Sequence, residues 1–459
     1  MTLRVAVVGG GLAGITAALR LADAGAAVTL LETRPRLGGL AHSFRRGELD
    51  VDNGQHVFLR CCTSYLGLLD RLGVADQVVV QERLDIPVLA PGGAPVRLRR
   101  NGMPAPLHLG PALLRYRPLA VADRLRMVRA ALALRGVDAD DPATDARGFG
   151  DWLAAHGQGE RAVAVLWDLV GIATLNARAA DASLALAATV FQLGLLTDAA
   201  AGDIGWARVP LGRLHDDAAR AALDAAGVQV RTSTRVSALA PGPGGRWRLA
   251  IDGDEDLLAD RVVSAVPPAA ADRLLPPGTL DLPAGWSARL GSSPIVNVHV
   301  VLDRTVLPTA FAAGIDSPVQ WVFDRTAQSG AADVHPPGSQ YLAVSLSAAD
   351  DLIGRPVAEL RTLILPALAA LLPAAADAAV LDFFVTREPH ATFRAAPGSA
   401  ALRPGPTTSA AGLHVAGAWT ATGWPATMEG AVRSGEAAAA AVLAHPDVPL
   451  PDVPVEVPA

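Results

Sequence analysis

The sequence contains no lysine, and arginine supplies all 39 of its basic residues. A Schiff-base lysine and the lysine of a Walker-type phosphate loop are therefore excluded. Cysteine is scarce as well, with Cys61 and Cys62 the two in the chain. Because they are adjacent, they are too cramped for an ordinary disulfide and lack the spaced partners of a zinc site, so no metal site is predicted. We expect reduced thiols in a cytoplasmic protein.

The chain also lacks an excess of basic charge and long apolar runs. The net charge is -6 and the pI is near 5.9, which leaves no basic field that could hold nucleic acid. No stretch of about 18 apolar residues is free of charge and proline, so no membrane-spanning helix is predicted. Apolar residues make up 51% of the chain and charged residues 18%. A globular protein of two or three domains is what 459 residues of this composition indicate.

A β-α-β pattern opens the chain. Residues 3–8 and 27–31 are short, Val- and Leu-rich runs that predict strands, and residues 15–24 have helical composition. The turn between the first strand and the helix reads Gly9-Gly10-Gly11-Leu12-Ala13-Gly14 and fits G-x-G-x-x-G. This order of strand, turn and helix is the context that a dinucleotide-binding turn requires.

Three glycines of that turn are required for different physical reasons. Gly9 permits the tight turn, Gly11 lets the backbone approach a pyrophosphate, and Gly14 lets helix and strand pack closely. The free amides of the helix N-terminus attract the anion. Glu32 closes the second strand, where a carboxylate accepts both ribose hydroxyls and repels a 2'-phosphate. The unit therefore predicts a bound dinucleotide.

A second glycine turn favours FAD over NAD. Arg34, Gly38 and Gly39 form R-x-x-x-G-G directly after Glu32 and Thr33, and this turn can pass beneath a dinucleotide. An NAD domain usually continues into the next crossover. Here the chain proceeds instead to Asp52-Asn53-Gly54-Gln55-His56. The arrangement resembles the flavoprotein superfamily of amine oxidases, phytoene desaturases and protoporphyrinogen oxidases.

Later segments carry the same resemblance. Residues 227–230, with Val236 a few residues on, look like the strand pair that touches adenine, and residues 259–268 look like the A-D-x-V-V-x-A-x-P strand. Residues 415–418 and 427–435 resemble the segment whose helix N-terminus faces the flavin. Two departures are Ala418, where the superfamily commonly has an acid, and Leu40, where desaturases often have arginine. The resemblance implies FAD contacts from Gly9, Gly11, Leu12, Ala13, Gly14, Glu32, Thr33, Arg34, Gly38, Gly39, Leu40, Gly54, Val236, Ala265, Gly417, Trp424, Thr427, Met428 and Ala431.

The predicted fold class is α/β, with a discontinuous FAD-binding Rossmann-like domain, a mixed α+β substrate domain and a helical insertion. We assign residues 1–65, 208–280 and 405–445 to the FAD-binding domain, and residues 66–207 and 281–404 to the substrate domain. From residue 66 to residue 207 we expect Leu- and Arg-rich helices. The proline-rich residues 446–459 predict a loose tail.

The absence of lysine disfavours the amine oxidases, which typically hold a lysine near the flavin. Several separated segments instead resemble the hydroxysqualene dehydroxylases: residues 52–56, 149–153, 166–168, 173–176 and 422–431. This resemblance implies that a flavin hydride replaces the hydroxyl of hydroxysqualene to give squalene in hopanoid synthesis. Two alternatives stay open: a phytoene-type desaturase, in which the flavin accepts hydride, and a non-enzymatic prenyl-binding protein on the same scaffold.

The departing hydroxide of such a reaction needs a general acid. His56 is the first candidate, because its loop follows the second glycine turn, and an equally weighted alternative is that it positions the cofactor. Gln55 could orient water or the leaving oxygen. Glu388 and His390 could reach the site from the substrate domain, although a surface turn at Pro389 is the favoured interpretation. The resemblance implies a long apolar isoprenoid, hydroxysqualene, as substrate and leaves the electron donor open.

Residues 104–135 combine leucines with several arginines. Two interpretations are open. A solvated helix pair that packs on the core is the favoured one, and peripheral contact with the inner face of an anionic membrane is the alternative.

Overall fold

The computed structural model describes residues 2–444. The predicted loose tail, residues 446–459, lies outside this range. Within it, no helix combines the length and the apolar character needed to cross a bilayer.

The strands of the described chain are β1 (Arg4–Val8), β2 (Ala27–Leu31), β3 (Ser43–Arg46), β4 (Leu49–Asp52), β5 (Val57–Leu59), β6 (Val78–Val80), β7 (Asp85–Leu89), β8 (Val96–Arg99), β9 (Ile204–Ala207), β10 (Gln229–Arg231), β11 (Val236–Pro241), β12 (Trp247–Ile251), β13 (Leu257–Ala259), β14 (Arg261–Ser264), β15 (Ser292–Leu302), β16 (Phe311–Gly314), β17 (Trp321–Asp324), β18 (Gln340–Leu346), β19 (Val380–Phe393) and β20 (Leu413–Val415).

The helices are α1 (Leu12–Asp23), α2 (Thr63–Arg71), α3 (Gly110–Leu114), α4 (Val121–Leu134), α5 (Pro142–Asp145), α6 (Phe149–Ala155), α7 (Glu160–Ala162), α8 (Asp168–Leu175), α9 (Leu184–Phe191), α10 (Ala218–Ala225), α11 (Pro268–Leu274), α12 (Trp286–Leu290), α13 (Thr326–Ser329), α14 (Ala331–Val334), α15 (Val357–Leu371) and α16 (Met428–Ala444). Wider π-helical turns at Val163–Trp167, Gln192–Leu196 and Arg213–Asp217 join or extend several of them.

A five-stranded parallel sheet runs in the order β10-β2-β1-β14-β20. Its central strand β1 is buried from its second residue to its last, as expected for a parallel strand covered on both faces. Helices α1 and α16 pack against each other on this sheet. The carboxyl ends of its strands therefore meet at one edge, where parallel α/β sheets bind ligands.

A seven-stranded sheet, mostly antiparallel, runs in the order β19-β15-β18-β17-β16-β7-β8. Its long strands β15 and β19 pair over most of their length. Smaller sheets join β11-β12-β13, β3-β4 and β5-β9-β6. The predicted α/β class is confirmed, and the domain boundaries stay a prediction.

The expectation of helices from residue 66 onward holds between residues 107 and 196, but it is wrong for residues 78–99 and 204–207. Strands β6 to β9 form there. The run Val78–Val80 is β-branched throughout and suits a strand. Strand β7 pairs with the nearby β8 and also with β16, more than 200 residues further along the chain, and local composition gave no sign of the second pairing.

Candidate functional site

The first glycine turn lies at the carboxyl end of β1. The amide of Gly9 donates to the carbonyl of Leu31 at 2.8 Å, and its φ of +110° suits glycine. A Cβ at Gly14 would lie 1.8 Å from the carbonyl oxygen of Gly9. The carbonyl oxygen of Ala265, after β14, closes the same turn, since a Cβ at Gly9 would lie 2.7 Å from it. Backbone atoms therefore fill this turn so tightly that side chains cannot enter it.

The N-terminus of α1 follows directly and offers hydrogen-bond donors. Gly11 occupies the N-cap and supplies no side-chain acceptor. Leu12 and Ala13 are both 5% exposed, and within residues 2–444 no side chain caps their amides. Buried donors of this kind need an acceptor, and an anionic phosphate at a helix N-terminus meets that need.

Glu32 lies at the end of β2 and faces the same turn. Its carboxylate accepts hydrogen bonds from the amides of Gly10 at 2.6 Å and Arg34 at 2.7 Å. Each oxygen retains capacity for one further donor, as contacts with ribose hydroxyls require. The carbonyl of Glu32 also accepts from Thr234, which brings Val236 beside the end of β2.

The second glycine turn touches the first. Gly38 donates to the carbonyl of Gly10 at 2.9 Å, and a Cβ at Gly39 would lie 3.0 Å from the Cα of Gly11. Thr33 and Arg34 are exposed at its start. Together the two turns form one continuous glycine cradle at the edge of the parallel sheet.

The last helix reaches the same cradle. A Cβ at Gly435 in α16 would lie 2.3 Å from the carbonyl oxygen of Ala13, so α1 and α16 are in backbone contact. Thr427 caps α16, accepting from Gly430 at its side chain and from Ala431 at its carbonyl. Met428 opens the helix directly after this cap.

Two further predicted residues lie before α16. Gly417 follows β20 and donates to the hydroxyl of Ser434 at 2.8 Å. Trp424 is half-buried, with the guanidinium of Arg433 over its ring at 5.1 Å. The structure thus brings the predicted residues of the late segment to the N-terminal region of α1.

The loop that contains Gly54, Gln55 and His56 is joined to the second glycine turn by hydrogen bonds. Asn53 donates to the carbonyl of Leu40 at 2.7 Å and exchanges bonds with the backbone of His42. Leu40 takes part through its backbone, since its side chain is 42% exposed.

A small cavity of about 10 Å³, close to the space that one water molecule needs, opens beside this loop. Gln55, His56, Asp324 and Arg325 are its polar lining residues, and the aromatic rings of Trp206, Phe311 and Phe323 form an apolar wall. Trp206 and Phe311 meet edge to face at 5.6 Å. The lining thus combines an apolar wall with polar and charged groups that can orient a ligand.

Burial lowers the pKa of His56 to about 4, and the positive charge of Arg325 adds to this effect against a hydrogen bond to Leu40. The imidazole is therefore neutral at neutral pH. A neutral ring can donate a hydrogen bond or accept one, but it holds no extra proton to release.

Arg325 and Asp52 form a buried ion pair next to His56. Nη2 of Arg325 lies 2.5 Å from Oδ2 of Asp52, and the two residues are 8% and 6% exposed. The other oxygen of Asp52 accepts from Ser43 at 2.6 Å and Leu211 at 2.9 Å. The pair joins the seven-stranded sheet to the segment that carries the second glycine turn.

A polar row on β15 and β19 faces the same loop. Asn297 and Thr386 both donate to the carbonyl of Asn53, at 3.1 and 3.2 Å. His299 contacts Thr386 at 3.0 Å and Tyr341 at 2.7 Å. Asn297 is 1% exposed, and its Oδ1 has no partner within residues 2–444.

Sequence reasoning missed this row and the Asp52–Arg325 pair. The row left a usable signal, because Asn297 and His299 are two residues apart in the otherwise apolar residues 295–302 of β15 and so share one face of the strand. Arg325 left none, since its partner is 273 residues away.

Glu388 and His390 lie within β19, so the favoured interpretation of a surface turn at Pro389 is wrong. The strand continues because Glu388 pairs with Ile295, and the register shift between this pair and the Ser293–Thr392 pair places a bulge in β19 at residues 389–391. Burial raises the pKa of Glu388, and His390 and the nearby charges of Arg34 and Arg36 oppose that rise. Glu388 is half-buried, while His390 is exposed and bonds to Ser292.

Comparisons with known proteins agree with this geometry. A family model described as flavin containing amine oxidoreductase matches residues 12–443. The hydroxysqualene dehydroxylase of Rhodopseudomonas palustris is 32% identical over 427 residues, 91% of this chain and 93% of that protein. The protein of the same name from Sinorhizobium fredii is 28% identical over 91% of this chain and 93% of its own length.

Other similarities are partial or concern the fold. The zeta-carotene desaturase of Zea mays is 34% identical over 37% of this chain and 31% of that protein. A putrescine oxidase variant superimposes with a TM-score of 0.70 at 21% identity, covering 97% of this chain and 100% of that one. A putative protoporphyrinogen oxidase from Exiguobacterium gives 0.68 at 18% identity over 96% and 99%. These two structures show the fold alone.

Proposed function

The chain belongs to the flavin-containing amine oxidoreductases and is an FAD-dependent oxidoreductase, and from this premise we propose that it reduces hydroxysqualene to squalene. The observation that carries the proposal is the similarity to the hydroxysqualene dehydroxylase of Rhodopseudomonas palustris over nearly the full length of both chains. The apolar wall beside His56 supports it independently, since such a surface suits a hydrocarbon substrate.

The glycine cradle fits FAD. We propose that the amides of Leu12 and Ala13 bind the pyrophosphate, that Glu32 binds the ribose hydroxyls, and that Val236 lies against adenine. At the other end, the start of α16 at Met428 would lie near the flavin ring, where its dipole favours negative charge. We propose that the remaining predicted residues also contact FAD.

The proposed reaction breaks the C–O bond of the substrate beside a double bond. The oxygen leaves with the electron pair, takes up a proton and departs as water, and the carbon receives a hydride. Bound FAD in its reduced form supplies that hydride. The protein must therefore hold the substrate in a dry site, orient the leaving oxygen and provide the proton.

We assign the orientation of the leaving oxygen and the supply of the proton to two different residues. Because the pKa of His56 is lowered to about 4, we propose that its neutral ring orients the leaving oxygen by a hydrogen bond, with Gln55 beside it. Glu388, whose pKa is raised by burial, is the candidate acid. We propose that it supplies the proton to the leaving oxygen.

The apolar wall supplies the binding energy. Burial of hydrocarbon is worth about 0.8 kcal/mol per CH₂, so a chain of about 30 carbons binds firmly without charged contacts. We propose that the reacting part of the chain enters at the apolar wall beside His56, where the side chains must move apart to admit it, since the free space there is about 10 Å³.

The test is a single turnover without oxygen. The purified, FAD-loaded protein is reduced chemically, hydroxysqualene is added, and the visible spectrum and products are followed. Reappearance of the oxidised flavin spectrum together with squalene, one for one, is the expected result. Reoxidation without squalene, or no reoxidation, would refute the proposed reaction.

Partial similarity to the zeta-carotene desaturases favours a second candidate, in which FAD accepts hydride from a carotenoid precursor. The same anaerobic spectroscopic assay distinguishes the two candidate reactions. Oxidised protein mixed with phytoene or zeta-carotene would lose its flavin absorbance if it were a desaturase, and would stay unchanged if it were a dehydroxylase.

A further inference from the structure

Helix α4 exposes an apolar stripe on its outer face. Val121, Leu125, Val128 and Leu132 follow one another at spacings of four, three and four, which aligns them along one side of a helix. Val121 is 68% exposed, Leu125 53% and Leu132 52%, while Val128 is half-buried and also packs against the core. We call these four residues the α4 stripe.

The exposure does not come from a poorly packed helix. On the opposite face, Met127, Ala130 and Leu134 are buried at 2%, 0% and 0%. Gln192 donates to the carbonyl of Leu134 at 2.8 Å, and Arg124 donates to that of Leu119 at the other end. Packing of the opposite face on the core thus fixes the orientation of α4. The stripe therefore lies on the outer side of the helix.

The segment before α4 enlarges the apolar surface. Leu107 is 60% exposed and Leu114 is 58% exposed. Isolated exposed leucines are ordinary, but several in one stretch of chain that ends in an apolar helix face are characteristic of an interaction surface.

The charges around the stripe are predominantly positive. Residues 103–135 contain six arginines and one acid, Asp123, a net charge of +5 in a chain whose total is -6. Asp123 is itself paired with Arg126 at 2.7 Å. Arg115, Arg117 and Arg129 are exposed. The surface therefore combines apolar side chains with a local positive field.

We propose that residues 103–135 dock the protein onto an anionic lipid surface, with the α4 stripe and the two preceding leucines in the headgroup region and the arginines on lipid phosphates. An amphipathic helix of this kind lies in the interface, and the 14 residues of α4 are too few to cross a bilayer. A second copy of the chain is a poorer occupant, because a two-fold contact would bring two positive fields together.

Docking there would connect the membrane with the cavity beside His56. The buried face of α4 belongs to the same apolar cluster as Phe311 and Phe323, which line that cavity. The docking does not depend on the proposed reaction and can be tested without substrate.

The test is flotation of the full-length, FAD-loaded protein with vesicles of phosphatidylcholine alone or of an equimolar mixture with phosphatidylglycerol. We expect binding to the anionic vesicles that weakens as salt is raised and little binding to the neutral ones. Leu125→Asn with Leu132→Asn should weaken the binding about tenfold for each leucine. Arg115→Gln with Arg117→Gln should weaken it about fivefold for each arginine.

Leu381→Asn and Arg289→Gln are matched controls, since both residues are exposed away from α4. They should leave vesicle binding unchanged. Retained FAD absorbance and thermal midpoint establish that each variant is folded. Absence of flotation with anionic vesicles, or equal losses in control and stripe variants, would overturn the proposal. The proposal would also be overturned if the protein did not bind vesicles but formed a dimer that the stripe variants dissociate.

Discussion

Arg325→Met tests the buried ion pair that joins the seven-stranded sheet to the second glycine turn. The substitution keeps a long side chain but removes the charge that faces Oδ2 of Asp52 at 2.5 Å. Leaving one buried charge without its partner costs about 3–5 kcal/mol. Because Ser43 and Leu211 still bond to the other carboxylate oxygen, we expect the lower end, about 3 kcal/mol.

The free energy of unfolding, measured by denaturant titration, gives this value. Arg71→Met is the matched control, since Arg71 forms an exposed pair with Asp23, and it should cost less than about 1 kcal/mol. Asp52→Asn combined with Arg325→Met removes both charges and should recover most of the lost stability. Equal losses in the Arg325 and Arg71 variants, or a double variant as unstable as the sum of the singles, would refute the reasoning.

The same substitution has a second consequence in the cavity. The charge of Arg325 is one of the causes that lower the pKa of His56. Its removal should raise that pKa, and the uncompensated carboxylate of Asp52 acts in the same direction. The ionisation of His56, followed by NMR, should therefore move to higher pH in Arg325→Met and stay in place in Arg71→Met.

Three further predictions concern the cofactor site and the pH dependence of stability. Glu32→Ala should weaken FAD binding about a hundredfold, because charged hydrogen bonds to the ribose are lost; unchanged affinity by flavin fluorescence titration would contradict the site. Gly14→Ala should abolish FAD binding, since its Cβ would lie 1.8 Å from a carbonyl oxygen, whereas Gly67→Ala, in open space on α2, should stabilise the protein by about 0.5–1 kcal/mol. Burial lowers the pKa of His215 to about 4 and that of His299 to about 3, from 6.5, so the unfolded chain binds protons first as pH falls. The stabilisation that these two neutral rings provide is complete above about pH 6.5. As pH falls from there through the folded pKa values, the free energy of unfolding should decrease by about 3 kcal/mol for His215 and about 5 kcal/mol for His299. A free energy of unfolding that stays constant between about pH 6.5 and about pH 4 would exclude this account.

Much of the nucleotide site could be predicted from the sequence because its determinants are local. The strand, turn, helix and strand that end at Glu32 are contiguous, and their glycines are required by backbone contacts within that unit. The periodicity of β1, α1 and β2 and the positions of Gly9 and Gly14 carry this information directly. Resemblance then extended the prediction to FAD.

Tertiary structure alone decided the rest. Asp52 meets Arg325 from 273 residues away, and Glu388 lies in a strand because β15 provides its partner. Helix α4 is the clearest case, because it carries apolar residues on two faces. Its sequence favours a helix but leaves open which face is buried, since burial depends on distant surfaces that compete for each face, and only the folded chain leaves the stripe uncovered.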